Sequence, residues 1–227
     1  PAELILSAQE DISVLLNGTD HIRIQAIRPG MDLSVALKDA DQIDDYVDER
    51  FSYAFDEKYG YLTSYPTNVG TGMRASVLIH LPSLSLGKKF QAMLGDMGRF
   101  GVSVRGVYGE GRENYGSIYE VSNVKTLGQT ERELAELVCK VALQLNDQEN
   151  QVRQMTLENH RLEREDEVYK SYGVLKYARK LSMKEAMTYL SHLRAGICDG
   201  VIALDGACPV YGLILGIQNA NLMKIAD

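Results

Sequence analysis

The stretch YGYLTSYPTNVGTGMRAS, residues 59–76, decides how the rest of the chain is read. It is built from turn-formers, with Pro66, Gly60, Gly70 and Gly72 among tyrosines and threonines, and it leads through one arginine, Arg74, into an apolar run. Loops rich in glycine and threonine let backbone N–H groups come close to an anion. Arginine keeps its charge and presents a planar fork of donors suited to phosphate oxygens. The stretch therefore reads as an anion-binding loop at the entrance to a strand. It is neither a GxxxxGK[ST] phosphate loop nor a GxGxxG fingerprint.

Working outward, MRASVLIHLP (73–82) is a largely buried strand. Upstream, DISVLLNG (11–18) is a strand that ends at the Asn17-Gly18 turn signal, and DHIRIQAI (20–27) alternates with a period of two. Between Met31 and Phe55 the apolar residues fall at three- and four-residue spacings, which predicts an amphipathic helix across that span. Downstream, SLSLGKKFQAMLGDMGRF (83–100) has a helical pattern, GVSVRGVYG and YGSIYEVSN are strands, and EGREN between them is a polar turn. After Asn123 the character changes. Thr130 and Glu133 form a capping-box pattern, helix-rich and heavily charged sequence runs on to about Arg179, and another helix ends near Gly200. The chain thus reads as an α+β fold, sheet-rich over 1–125 and helix-rich over 126–227. The charged helices from Thr130 to Arg179 could drive formation of a homodimer. The spacing of Leu134, Leu137, Val138, Val141 and Leu145 suits packing on the sheet equally well.

With 227 residues, 45% hydrophobic and 24% charged, the composition is that of a globular protein able to bury a sizeable core. A net charge of −7 argues against nucleic acid as a partner. No apolar run is long enough for a membrane span, and the first residues lack the basic start and apolar core of a signal peptide. Cys139, Cys198 and Cys208 are odd in number and far apart, with no CxxC pair. That predicts neither a metal site nor a disulfide framework and fits a cytoplasmic location.

Three segments place arginines and acids at strand ends or loops: NGTDHIR (17–23), PTNVGTGMR (66–74) and RGVYGEGRE (105–113). Arg23, Arg74 and Arg105 converging from three strands would make a phosphate clamp on an acidic body. Alternatively, all three point to solvent or pair with some of the 31 acids. Pattern alone leaves both open.

YGYLTSYPTNVGTGMRASV, with DHIRIQ before it and VRGVYGEGRENYGSIYEVSN after it, strongly resembles the ATP:guanidino phosphotransferases, most closely their protein-arginine-kinase branch. VYKSYGVL and LRAGICDGVI have the same character, so the resemblance covers essentially the whole chain. It implies a largely antiparallel sheet flanked by helices, and transfer of the γ-phosphoryl of Mg-ATP to an arginine guanidinium. The implied partners are ATP, ADP and arginine side chains of proteins. By the same match Arg23, Arg74, Ala75, Ser76, Val77 and Leu78 line the nucleotide, as do Arg105, Gly106, Val107, Tyr108, Gly109 and Glu110. Glu110 and Glu113 are the implied catalytic acids. Thr19, Tyr65 and Asn68 fall on the substrate pocket. A guanidinium must shed a proton before it can attack, which is why the family needs a carboxylate there.

The sequence departs from the family in three places. The pattern Asn-Glu-Glu-Asp-His becomes Asn17-Gly18-Thr19-Asp20-His21, so the usual base aligns with Thr19. A hydroxyl cannot replace a carboxylate there, and loss of a general base costs roughly 10²–10⁴-fold in rate. Asp20 is adjacent, but in a strand a one-residue shift points to the opposite face, so Asp20 is not expected to stand in for it. Tyr65 stands where the family commonly has cysteine, and would partly fill the pocket or swing out over it. The chain is expected to begin after the family's N-terminal helical domain, with its Ser-x-Arg-x-Arg segment, and to stop about where the branch's C-terminal receptor helix begins. These departures favour weak activity, or a non-catalytic pseudokinase that binds nucleotide or a protein partner.

Overall fold

The computed structural model describes residues 2–109, 114–204 and 209–226. It divides into two compact units. One comprises Pro1–Val77, Leu94–Val104 and Val121–Leu143, and the other comprises Leu78–Met93, Arg105–Glu120 and Gln144–Asp227.

The first unit opens with β1 (Glu3–Leu6), β2 (Ile12–Leu16) and β3 (Ile22–Ala26), an antiparallel sheet in that order. Val14 stands opposite both Ile5 and Ile24, so the apolar residues line up across the three strands. The turn between β2 and β3 closes where Asn17 N donates to His21 O, and Asn17 takes the left-handed conformation that asparagine tolerates.

The following helix, α1, spans Leu33–Asp48, seven residues short of Phe55. Its last turn holds Asp45 and Asp48 with no basic residue, so the negative end of the helix dipole meets like charge. Arg50 then bonds back to Tyr46 O and stacks on the Tyr46 ring, which ends the helix. Phe55 belongs instead to β4 (Phe55–Asp56), which pairs with β5 (Gly60–Tyr61). The Asp56 carboxylate makes that turn by accepting the N–H groups of Lys58 and Tyr59.

β6 (Ser76–His80) leads through α2 (Phe90–Met97) to β7 (Val102–Gly106) and then β8 (Ile118–Asn123), in the spatial order β6-β8-β7. Asn123 N donates to Ala75 O and Leu81 N to Ser117 O, so β6 and β8 run antiparallel. The same holds for β7 and β8, through Val124 N to Gly101 O and Val107 N to Ile118 O. Val102 and Val121 are completely buried.

The helices α3 (Glu131–Asn159), α4 (Arg161–Tyr177) and α5 (Met183–Cys198) follow, then α6 (Val210–Gly216) and α7 (Asn219–Ala226). The capping box at the start of α3 forms in full: Thr130 N donates to the Glu133 carboxylate and Glu133 N to Thr130 Oγ1. Leu134, Val138 and Leu145 are fully buried and Val141 nearly so, which places the apolar stripe of α3 in the chain's own core. Each such side chain contributes about 1.5–3 kcal/mol. In the second unit Ile118, Met187, Leu190, Val210 and Ile214 pack together, and Val168, Leu193 and Ile202 form a neighbouring cluster. The result is an α+β fold of antiparallel sheets flanked by helices. Among the described residues no helix is long and apolar enough to cross a membrane.

Candidate functional site

The loop of residues 59–76 is held from behind by two residues, Asn123 at the end of β8 and Thr126 just beyond it. Asn123, 2% exposed, accepts Ala75 N through Oδ1 at 2.8 Å and donates through Nδ2 to Met73 O at 3.1 Å and Lys125 O at 2.9 Å. The residues on either side of Arg74 therefore hang on one buried amide. Thr126 does the same further back, its hydroxyl within 2.9 Å of Thr67 O and 2.7 Å of Val69 O, while its carbonyl accepts Thr71 N. Tyr61 and Gly70 exchange backbone hydrogen bonds across the loop. A side chain at Gly70 would lie 2.3 Å from Thr126 O and one at Gly60 2.4 Å from Gly70 O, so only glycine permits this closure. Tyr61 also donates to Asp44 at 2.9 Å, and burial together with that carboxylate pushes its phenol well above the usual range.

The turn between β2 and β3 is stitched to the front of this loop. Asp20 Oδ1 accepts Ser64 N at 2.6 Å, and Ser64 Oγ donates to Thr19 O at 2.9 Å. Residues 17–21 form a bend rather than an extension of either strand, so strand alternation does not fix the direction of Asp20. Its carboxylate is taken up by the loop backbone. Thr19 is exposed, and its carbonyl is the group in use. Next in the loop, the Tyr65 carbonyl accepts Thr63 Oγ1 and Asn68 N, and the residue stands 57% exposed. Asn68 is half-buried behind Pro66 in a short 3₁₀ turn.

Most of the described arginines are already partnered. Arg28 bonds Asp11 and Asp39, and Arg153 and Arg164 share Asp199. Arg50, Arg99, Arg132 and Arg161 pair with nearby acids, and Arg194 contacts Cys198 and the Tyr211 ring. Arg105, placed in the clamp by its sequence position, bonds Glu120 through Nε at 2.7 Å and Nη2 at 2.6 Å. Arg23 on β3 and Arg74 at the loop's exit are different. Both are exposed, and among the described residues neither has a carboxylate, hydrogen-bond or ring partner; Arg179 is the other such arginine. Along β6 the side chains alternate, with Ala75 and Val77 buried and Arg74, Ser76 and Leu78 exposed.

In the second unit, β7 ends at Gly106 and an exposed Val107 follows. Tyr108 leans on the cluster of Ile118, Met187 and Leu190, and its carbonyl accepts Tyr115 N at 2.7 Å. Gly109 has φ 125°, which suits glycine. Glu110 and Glu113 lie outside the described residues. A cavity of about 780 Å³ opens elsewhere in this unit, lined mainly by apolar residues such as Leu175, Leu190, Leu213 and Leu222. Its lining has one cation, Lys176, and no arginine, so it is not where phosphate would be held.

The loop, its arginine and its buried supports match a known pattern. Residues 2–152 fit the family model described as the C-terminal catalytic domain of ATP:guanido phosphotransferases. The chain belongs to this family. A second model, the C-terminal domain of the protein-arginine kinase McsB, fits residues 161–227. The chain is 42% identical over 221 residues to a protein-arginine kinase of Caldanaerobacter subterraneus subsp. tengcongensis, covering 97% of this chain and 65% of that one. It is 47% identical over 198 residues to a protein-arginine kinase of Bacillus subtilis, covering 87% of this chain and 54% of the relative. It thus spans between about half and two thirds of the length of these relatives. Among solved structures, the duplicated taurocyamine kinase of Schistosoma mansoni, with bound transition-state-analogue components, superposes with a TM-score of 0.60 at 27% identity, over 68% of this chain and 21% of that one. A lombricine kinase gives 0.58 at 24% identity, over 69% of this chain and 42% of that one, which speaks for the guanidino-kinase fold.

Sequence reading had singled out the arginines and the loop but not Asn123, Thr126 or Glu120. The first had a signal: a polar pair, Ser122-Asn123, ends a strand that is otherwise largely buried, and a buried polar side chain needs partners. Nothing in spacing links Glu120 to Arg105 before the strand pairing is known.

Proposed function

We propose that this chain is the phosphoryl-transfer domain of a protein-arginine kinase, working in the cytoplasm on Mg-ATP and on arginine side chains of proteins. The supporting observation is the pair of exposed arginines, Arg23 and Arg74, without partners among the described residues and on two elements tied together by Asp20 and Ser64. Guanidinium groups left free on a protein of net charge −7 are suited to an anion that arrives from outside. In this reading Arg74 holds phosphate oxygens from the rigid end of its loop, and Arg23 reaches them from β3. Magnesium, carried by the nucleotide rather than by a cluster of protein ligands, would supply further charge neutralisation at the phosphates. The backbone of Arg105–Gly109 lines the nucleotide, and the carboxylates of Glu110 and Glu113 orient the guanidinium and take its proton. A guanidinium nitrogen then attacks the γ-phosphorus, the bond to the β-phosphate oxygen breaks, and ADP leaves. Such a transfer depends on positioning and charge neutralisation, and an exit residue braced on both sides by Asn123 provides the first.

A second reading has its own observation. Thr19 offers no carboxylate and Asp20 Oδ1 accepts Ser64 N, so among the described residues of the turn no carboxylate stands free of the loop. On that reading the chain binds nucleotide without transferring phosphate, as a pseudokinase. Acid-labile phosphoarginine formed from Mg-ATP on an arginine-containing protein, before and after Thr19→Glu with Tyr65→Cys, separates the two. Activity that rises at least a hundredfold in the double variant supports the kinase scaffold. Nucleotide binding with no transfer in either protein supports the pseudokinase.

A further inference from the structure

Asn114 sits at the neck of the hairpin between β7 and β8, and its surroundings are unusual. Its Nδ2 donates to Ile118 O at 3.0 Å, the same carbonyl that accepts Val107 N at 3.0 Å. That bond fixes which end of the amide is which, because a flipped amide would set two oxygens against each other. The other end, Oδ1, is buried and finds no donor among the described residues. The side chain lies flat over Gly106. A Cβ at position 106 would meet Asn114 Cγ at 2.7 Å, Cβ at 2.8 Å and Oδ1 at 3.0 Å. Gly106 is in a strand and its φ is not positive, so the occupied space is the objection to a side chain there.

A buried acceptor without a donor is unfavourable for the fold, and an apolar residue of the same size would avoid the loss. The amide therefore contributes something other than packing. It contributes a fixed distance between the Gly106–Val107 backbone and Ile118, and an acceptor turned toward the segment that the functional reading gives to the nucleotide. We propose that Asn114 is a positioning residue of the nucleotide site. It holds the backbone of Arg105–Gly109 in its binding shape through Gly106, and keeps Oδ1 ready for an N–H that arrives when the site is loaded. This inference rests on the functional reading above.

The test is titration calorimetry of Mg-ADP into the chain and four variants, with thermal unfolding of each. Gly106→Ala drives a methyl into Asn114 and is expected to weaken Mg-ADP about tenfold or more. Gly106→Ala with Asn114→Gly removes the collision and recovers most of that loss, which a general disturbance of the sheet would not do. Asn114→Ala, which introduces no clash, is expected to weaken binding several-fold with an unfolding temperature close to that of the unaltered chain, since loss of the bond to Ile118 O is offset by removal of the orphaned acceptor. Arg74→Ala reports on the functional reading itself. Binding that vanishes with Arg74→Ala but is unchanged in Gly106→Ala and Asn114→Ala would overturn the role of Asn114 alone. No binding by the unaltered chain would overturn both.

Discussion

Replacing Asn123 by alanine tests the mechanical claim about the loop. Three hydrogen bonds disappear, to Ala75 N, Met73 O and Lys125 O, at a net ~1 kcal/mol each. The two carbonyls can turn toward water. Ala75 is 7% exposed, and its N–H has no other acceptor among the described residues, so the loss falls near the full sum of about 3 kcal/mol. Confined to residues 73–75, that loss makes local opening about a hundredfold more frequent. Hydrogen exchange read by mass spectrometry on peptides covering 70–78 should then speed up about a hundredfold. Peptides from α5, whose capping box at Ser182 and Glu185 is independent of the change, should exchange as before. Mg-ADP affinity should fall at least tenfold, because Arg74 loses the brace on both its neighbours. Exchange over 70–78 that changes less than fivefold would refute the argument that Asn123 holds the loop.

Other consequences are simpler to state. Arg23→Ala and Arg74→Ala should each leave stability within about 0.5 kcal/mol of the unaltered chain, since both are exposed and neither side chain has a hydrogen-bond, carboxylate or ring partner among the described residues, while abolishing measurable Mg-ADP binding; urea unfolding and calorimetry on the same samples decide it. His80 is buried against Ser191 Oγ at 2.8 Å, and burial first, then the charges of Arg194, Arg153 and Arg164, lower its pKa from 6.5 to about 4. The unfolded chain therefore takes up this proton first as pH falls, and stability should drop by up to roughly 1.4 kcal/mol per pH unit between 6.5 and 4. His80→Gln should flatten that decline in urea midpoints measured from pH 7 to pH 5. Thr130→Ala removes the hydroxyl of the α3 capping box and should cost about 1 kcal/mol with no effect on nucleotide affinity.

How much could be read beforehand follows from the range of each interaction. Strands β2, β3 and β6 and the capping box of α3 were legible because period-two alternation and an i, i+3 polar pair are local properties. The end of α1 was misread because Phe51 and Phe55 continue a helical spacing. The events that stop the helix, Arg50 folding back on Tyr46 and Asp56 nucleating a turn, depend on atoms that spacing does not encode. At the site, Arg74 stood out by its chemistry and by resemblance. Arg105 stood out equally, yet it faces Glu120, a cross-strand partner fixed only by the register of β7 and β8. The supports of the loop were illegible for the same reason, since Asn123 and Thr126 lie about fifty residues beyond the backbone they hold. Asp20 was judged by strand alternation, and the bend at 17–21 removes that premise.

The account stands on Arg74 as the residue that meets phosphate. Titration of Mg-ADP into this chain beside Arg74→Ala tests that most directly. The account predicts binding in the micromolar to low-millimolar range by the unaltered chain and none by the variant. Equal binding by both proteins, or none by either, would contradict it.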